Sequence, residues 1–423
     1  MNGHNDRKAT RQRLRRKILP LVCRKLWGAH SPADTGLYPA HANSAGQTDA
    51  ALYFAFRSGS RWRHQPVGRT WYQVDVRRGD CCGSSGNRPP VPDPQVAEPS
   101  RRSLLLGLAL LISGCSAGQR SPGRQDGTPA LADDAFIMSD GARLPMKVWR
   151  PEGSFHTVVL ALHGSNDSRN AWDVPAPHFA AAGMIVYAPD QRGFGAAPMR
   201  GLWPGRKALI EDATEMVGLL RYRHPEARMV LMGESMGGAV LMGLATQLNA
   251  PEVHGYVLAA PAVWDRTRLN WFERIGFWLA ATLLPGWQVS RPPASNNADA
   301  LARLSRDPLA IGSTGMGKLY GLANLMDKAM EAAPRFTARA LFQYGAYDDL
   351  ISSRATRAMW RALPAAPHCL AYYRNGWHLL FRDLDGLTPI NDAIAWILDP
   401  SAPLPSGADV FARAWLSGNP IQS

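Results

Sequence analysis

The sequence predicts an α/β protein: a mostly parallel central sheet with helices on both faces and a helical cap inserted late in the chain. Three observations predict it. From residue 133 onward, short β-branched and aliphatic runs alternate with segments of helical periodicity. Parallel strands joined by crossover helices produce that alternation. The run at 157–162 is apolar without interruption, as a strand covered on both sides requires. Between 262 and 335 the alternation stops, and that segment is too long for a crossover and too apolar for a solvated loop.

Taken in order, 135–138 and 144–149 are short strands around an Asp140-Gly141 turn, a hairpin signal. The buried strand at 157–162 follows, then a helix near 174–182 and a strand at 184–188. An amphipathic helix fits 206–222. The pattern continues with a strand at 228–232, a helix at 237–248 and a strand at 256–259. It resumes at 340–344, with a helix near 353–363, a strand at 369–373 and a last helix at 389–398. The interrupting stretch, rich in Trp264, Trp271, Phe272, Phe277, Trp278 and Trp287, reads as the cap. The core is therefore expected over 133–261 and 336–400, with the cap over 262–335 and a C-terminal tail over 401–423.

The front of the chain differs. The formal net charge is +13, yet residues 1–95 hold sixteen Lys/Arg against six Asp, so the basic excess is concentrated there. From 115 onward the balance is nearly even, which gives no case for a nucleic-acid surface on the folded part. Residues 1–95 lack sustained apolar periodicity and read as disordered or as not natively translated. Behind them, Arg101-Arg102 precede an apolar run from Leu104 to Ile112, then Ser113, Gly114 and Cys115. A basic region, a short apolar region and small residues before a cleavage point make a secretory signal, too short to span a bilayer as a stable helix. Leu111 to Cys115 resembles a bacterial lipobox, whose cysteine is acylated. We therefore expect translation to start near Val96 from a non-AUG codon, a lipoprotein-type signal over 96–114, lipidation of Cys115, a tether over 115–132, and export to the membrane surface of a bacterial envelope. The five cysteines show neither a disulfide framework nor metal-ligand spacing, and no metal or organic cofactor is implied.

The strongest chemical signal is Gly233-Glu234-Ser235-Met236-Gly237, placed where a buried strand ends and a helix begins. A serine hydroxyl is a weak nucleophile and must be held out toward a base. A strand–turn–helix elbow does this, with small residues two before and two after the serine. A base and an orienting acid should follow, acid first. Of the three histidines downstream, His254, His368 and His378, only His378 follows a strand end in a loop able to reach over the sheet edge. For the acid, Asp348 is favoured by its spacing from Gly345, with Asp349 the alternative. The oxyanion hole needs two backbone N–H groups, assigned to Met236, just after the nucleophile, and Ser165, in the loop after the first central strand. His163 is read as bracing that loop.

Four motifs in this order carry a family resemblance: His163-Gly164-Ser165-Asn166-Asp167; Asp190-Gln191-Arg192-Gly193-Phe194-Gly195; Gly233 to Gly238; and Tyr373-Arg374-Asn375-Gly376-Trp377-His378-Leu379-Leu380. With Gly345-x-x-Asp348 they resemble the monoacylglycerol lipase and lysophospholipase branch of the α/β-hydrolases, the serine aminopeptidase S33-like group, over residues 133–400. The resemblance implies the α/β-hydrolase fold, Ser235 as nucleophile, Asp348 as acid, His378 as base and Ser165 and Met236 as oxyanion donors. It treats Asp190 and Arg192 as structural. It implies a small lipid-like ester as substrate, such as a monoacylglycerol or lysophospholipid. A peptidase, amidase or acyltransferase with the same triad and a non-catalytic lipid-binding envelope protein are the alternatives. The cap aromatics are open to two readings, lining an acyl site or packing the cap against the core.

Overall fold

The uninterrupted apolar strand β4 (Thr157–Leu162) lies near the centre of a nine-stranded sheet, and the rest of the fold is arranged around it. The computed structural model describes residues 123, 126–264, 269–290 and 294–418. The readings of residues 1–95, of the signal at 96–114 and of lipidation at Cys115 lie outside the described residues. The other strands are β1 (Ala130–Leu131), β2 (Ala135–Ile137), β3 (Arg143–Trp149), β5 (Met184–Pro189), β6 (Arg228–Glu234), β7 (Gly255–Ala259), β8 (Gln288–Ser290), β9 (Ser313–Gly315), β10 (Ala340–Gly345) and β11 (His368–Tyr373). The sheet runs β1-β2-β3-β5-β4-β6-β7-β10-β11. β1 to β3 are antiparallel to their neighbours, and the six strands from β5 to β11 are parallel.

The helices are α1 (Pro175–Ala181), α2 (Arg206–Arg223), α3 (Met236–Ala245), α4 (Trp271–Leu283), α5 (Ala298–Arg306), α6 (Met316–Ala332), α7 (Ser353–Ala362), α8 (Leu387–Leu398) and α9 (Ala408–Ser417). Alternate residues of β4 feed two separate cores. Val158, Leu160 and Leu162 pack with α2, α3, α7 and α9 on one face. Val159 and Ala161 pack with α1 and α8 on the other. Both faces being dry explains why the strand shows no polar alternation.

Two expected boundaries are corrected. Within the expected tether of 115–132, Ala130-Leu131 already pairs with β2, and Gly127 N–H donates to Ser139 O at 2.8 Å. The tail placed over 401–423 instead contains α9, which buries Ala408, Ala412 and Trp415 at the edge strand β11. Trp415 stacks on Tyr372 with ring centroids 4.8 Å apart, so the helix closes a core that β11 would otherwise leave wet.

The cap contains α4, α5 and the start of α6, together with a two-stranded antiparallel pair, β8 and β9. α4 opens with a capping box: Asn270 accepts from Glu273 N–H while the Glu273 carboxylate accepts from Asn270 N–H. Asn297 caps α5 by accepting from Asp299 N–H and Ala300 N–H. Among the described residues no helix is long and apolar enough to cross a membrane.

Candidate active site

The end of β6 bends sharply. Ser235 has φ 53° and ψ −111°, and the next residue, Met236, opens α3. A non-glycine residue at positive φ costs on the order of 1–3 kcal/mol and persists only where its surroundings enforce it. Here they do: Ser235 N–H donates to Ala259 O at 2.9 Å, while its carbonyl accepts from Ala262 N–H at 2.9 Å and Ala239 N–H at 3.1 Å. A Cβ at Gly237 would sit 2.3 Å from Leu162 O, and one at Gly233 would sit 2.6 Å from the Gly237 carbonyl carbon. The small residues flanking the serine are therefore fixed by backbone contact.

The loop after β4 lies against this bend. A Cβ at Gly164 would fall 3.4 Å from Ser235 Cβ, so the backbone leading to Ser165 passes directly over the serine. Met236 is the first residue of α3, and its N–H therefore has no carbonyl four residues earlier within the helix. His163 braces the loop, as expected. Its Nδ1 lies 2.7 Å from Gly164 O, and its Nε2 accepts from Gln191 N–H at 3.0 Å. That pattern assigns the proton to Nδ1, and burial holds the ring's pKa below its ordinary value, so it is neutral.

Asp348 and His378 come from the loops after β10 and β11. The loops touch at two glycines: a Cβ at Gly345 would lie 2.4 Å from Gly376 O. His378 Nδ1 and Asp348 Oδ2 are 2.8 Å apart, with both side chains almost fully buried. The other oxygen, Oδ1, accepts from Leu350 N–H at 2.9 Å and Ile351 N–H at 2.8 Å, which fixes the carboxylate's orientation. Burial by itself would depress the His378 pKa; attraction and hydrogen bonding to Asp348 outweigh it, and the net shift is upward. Asp349 is exposed. His254 is an exposed residue whose Nδ1 accepts from Met229 N–H at 3.0 Å, and His368 packs against Phe336 and Phe342.

Ser235, His378, Gly164 and Ser165 line one cavity. Its walls are chiefly apolar: Trp264 and Val289 from the cap, Leu319, Leu322 and Met326 from α6, and Ile351 and Leu379 from the core. Among the described residues no group of His, Cys, Asp and Glu could hold a metal ion. Asp190 and Arg192 are structural. Asp190 accepts from Arg169 N–H and Ala196 N–H, both at 2.7 Å, and Arg192 bridges Asp212 and Asp140.

Sequence reasoning missed Arg382. Its guanidinium donates to Asp167 Oδ2 at 2.8 Å and Glu234 Oε2 at 2.7 Å, and all three residues are buried. The available signal was the placement of two acidic residues inside the motifs, Asp167 two residues after Ser165 and Glu234 directly before Ser235.

A strained serine on an elbow, a buried carboxylate–imidazole pair and a shared apolar cavity, all on a mostly parallel sheet, define a serine hydrolase of the α/β-hydrolase fold. Residues 153–385 match the family model described as serine aminopeptidase, S33, and the chain belongs to that family. It is 26% identical over 272 residues to a monoacylglycerol lipase of Mycolicibacterium smegmatis, covering 63% of this chain and 97% of that one. It is 24% identical over 260 residues to a monoglyceride lipase of Rattus norvegicus, covering 60% and 85%. Among solved structures, a soluble variant of the Saccharomyces cerevisiae monoglyceride lipase in complex with a substrate analog superposes with a TM-score of 0.52 at 20% identity, covering 67% of this chain and 97% of that one. At that identity the superposition speaks for the fold.

Proposed function

We propose that the chain hydrolyses carboxylic esters of lipid-like acids, such as monoacylglycerols or lysophospholipids, through an acyl-enzyme on Ser235. The observation that carries this reading is the cavity, where the Ser235 and His378 side chains open onto a wall of aliphatic and aromatic groups suited to an acyl chain. The names of the two lipase relatives support the same substrate class.

The steps proposed use the buried Asp348–His378 pair and the serine on its elbow. With Nδ1–H donated to Asp348, the lone pair of His378 Nε2 is the base. It takes the Ser235 hydroxyl proton as Oγ attacks the ester carbonyl carbon. The backbone N–H groups of Ser165 and Met236 receive the oxyanion. Collapse breaks the bond to the alcohol oxygen, which leaves with the proton from His378. Water then attacks the acyl-enzyme, giving its proton to His378, and the carboxylic acid departs as Ser235 is reprotonated.

The test is a panel of p-nitrophenyl esters, monoacylglycerols, lysophospholipids and aminoacyl amides, run with wild type and Ser235→Ala, alongside fluorophosphonate labelling. Turnover of the lipid esters, lost in Ser235→Ala, is the expected result. Turnover of amides alone would replace the reading, and an unlabelled Ser235 in folded protein would end it. For localisation, we propose that Cys115 is the lipidated first residue of an exported lipoprotein. Intact mass of the native protein tests that, and peptides recovered from residues 1–95 would refute it.

A further inference from the structure

Three loops must be held in register for this chemistry, and they come from distant parts of the chain. They are the elbow at Ser235, the loop carrying Ser165 and the loop carrying His378. Glu234 immediately precedes the first serine, Asp167 stands two residues after Ser165, and Arg382 stands four residues after His378. Both ion pairs of Arg382 are nearly dry: the guanidinium side chain is 9% exposed, and each carboxylate side chain 3%.

We propose that Arg382 is a positioning residue for the hydrolysis, a single buried guanidinium that fixes the spacing of all three loops. The shape of the group suits the task. Two separate nitrogens of one rigid plane reach two carboxylates on two different loops, Nη1 to Asp167 and Nη2 to Glu234. An ammonium is a point charge on a flexible stem and cannot impose that geometry. The loop bearing Arg382 is anchored in turn. Asp383 accepts from Trp377 N–H at 2.6 Å and from Ser295 Oγ at 2.5 Å, and Asn297 Nδ2 donates to Arg382 O at 3.0 Å. The arginine therefore transmits the position of one braced loop to the two others.

The clamp also has an electrostatic signature. The Glu234 carboxylate and the guanidinium stand near His378 and act on its ring in opposite senses. Glu234 raises the imidazole's pKa and Arg382 lowers it, with Asp348 the dominant attractive group. Two further titratable groups face the clamp: Asp383, whose carboxyl burial pushes up to about 6, and His163, which interacts with Asp167 and Glu234. Because Asp383 and His163 are common to every variant below, comparisons between them isolate the clamp.

The proposal rests on Ser235 being the nucleophile but not on the substrate, so the reporter is the rate of fluorophosphonate labelling at Ser235, measured against pH. Arg382→Met is expected to label about a hundredfold more slowly, the scale of a small misplacement of reacting groups. Its acid limb should move to higher pH. Glu234→Gln should move the limb to lower pH, and the double variant should bring it back toward wild type. Opposite shifts of the limb are not produced by a residue that only stabilises the fold. Arg382→Lys keeps the charge and loses the fork, so its limb should stay in place while its rate remains depressed. Arg382→Lys labelling at the wild-type rate would overturn the proposal, and it decides the matter if Arg382→Met does not fold. Folded Arg382→Met within about threefold of wild type would also overturn it. Wild type that fails to label refutes the assignment of Ser235 instead, which keeps the two failures apart.

Discussion

Replacing Lys318 with methionine should raise stability by about 3 kcal/mol near about pH 6, an unusual gain for removing a charge. Lys318 lies on α6 with 5% of its surface exposed, and its Nζ has no hydrogen-bond partner. Burial lowers its pKa from 10.5 to about 7, and Arg200 adds repulsion. At about 1.36 kcal/mol per pH unit, that depression corresponds to a cost of about 5 kcal/mol for the charged form. The Phe194 ring, 3.8 Å below the ammonium, offsets up to about 2 kcal/mol of it. Methionine keeps the stem, and its helix propensity is close to that of lysine. The sign is set by linkage: a cation with a depressed folded-state pKa costs most below that pKa, and the cost disappears as pH rises toward the unfolded value. Urea unfolding at about pH 6 and about pH 9.5 should therefore give a gain that shrinks to about 1 kcal/mol at the higher pH. A gain equal at both values, or a loss at the lower one, would refute the reasoning and would mean that the amine makes a favourable contact.

Asp348→Asn should lower kcat by about 10⁴-fold and move the acid limb of the rate profile to lower pH, because the attraction that raises the His378 pKa is removed; an unmoved limb would separate His378 from that limb. Gly237→Ala should destabilise by about 3 kcal/mol or more, since the clash is with Leu162 backbone, whereas Gly276→Ala, with open space around it inside α4, should stabilise by about 0.5–1 kcal/mol. Chemical denaturation of the two variants checks the contrast. Burial pushes the Cys369 thiol up to about 12, so peptide mapping after iodoacetamide should find it unmodified in the folded protein and modified in urea.

The strands and core helices were legible because each satisfies a local rule. β4 is apolar on both faces, and α2 alternates with the helical period. The elbow was legible because backbone presses on Gly233 and Gly237, from Gly237 itself and from Leu162, and admits only glycine at both, which leaves a visible motif around the serine. Asp348 was favoured over Asp349 through Gly345, and that glycine is the point where the two loops touch. The Arg382 clamp had no such signature. Its partners are 215 and 148 residues away, and a lone arginine after a histidine loop has no periodicity to betray it. β1 is two residues long, and α9 stands beyond a proline-rich turn; both depend on a neighbour already in place.

The cap aromatics, which sequence left between two readings, divide by position. Trp264 lines the cavity, and Phe277 packs edge-on against Trp264 and Tyr320 inside the cap. Trp271 and Phe272 stack on one another and are 61% and 66% exposed. Apolar content on α4 thus does not report burial. The cap is seated by an apolar cluster of Ala294 and Leu304 against Leu379, and by polar contacts beside it. Asn166 O accepts from Ile311 N–H at 2.9 Å, and Asn166 Nδ2 donates to Thr314 Oγ1. Asp307 accepts from Asn170 Nδ2 at 3.0 Å, and Arg200 donates to Pro308 O at 2.7 Å. The Asn166 and Asn170 contacts fall on the segment that follows Ser165, so the cap rests on the backbone assigned to the oxyanion. Hydrogen bonds are directional where apolar packing is not. A seam of them therefore fixes where the cap sits beside the Ser165 loop, while the apolar cluster around Leu379 excludes water and adds undirected attraction.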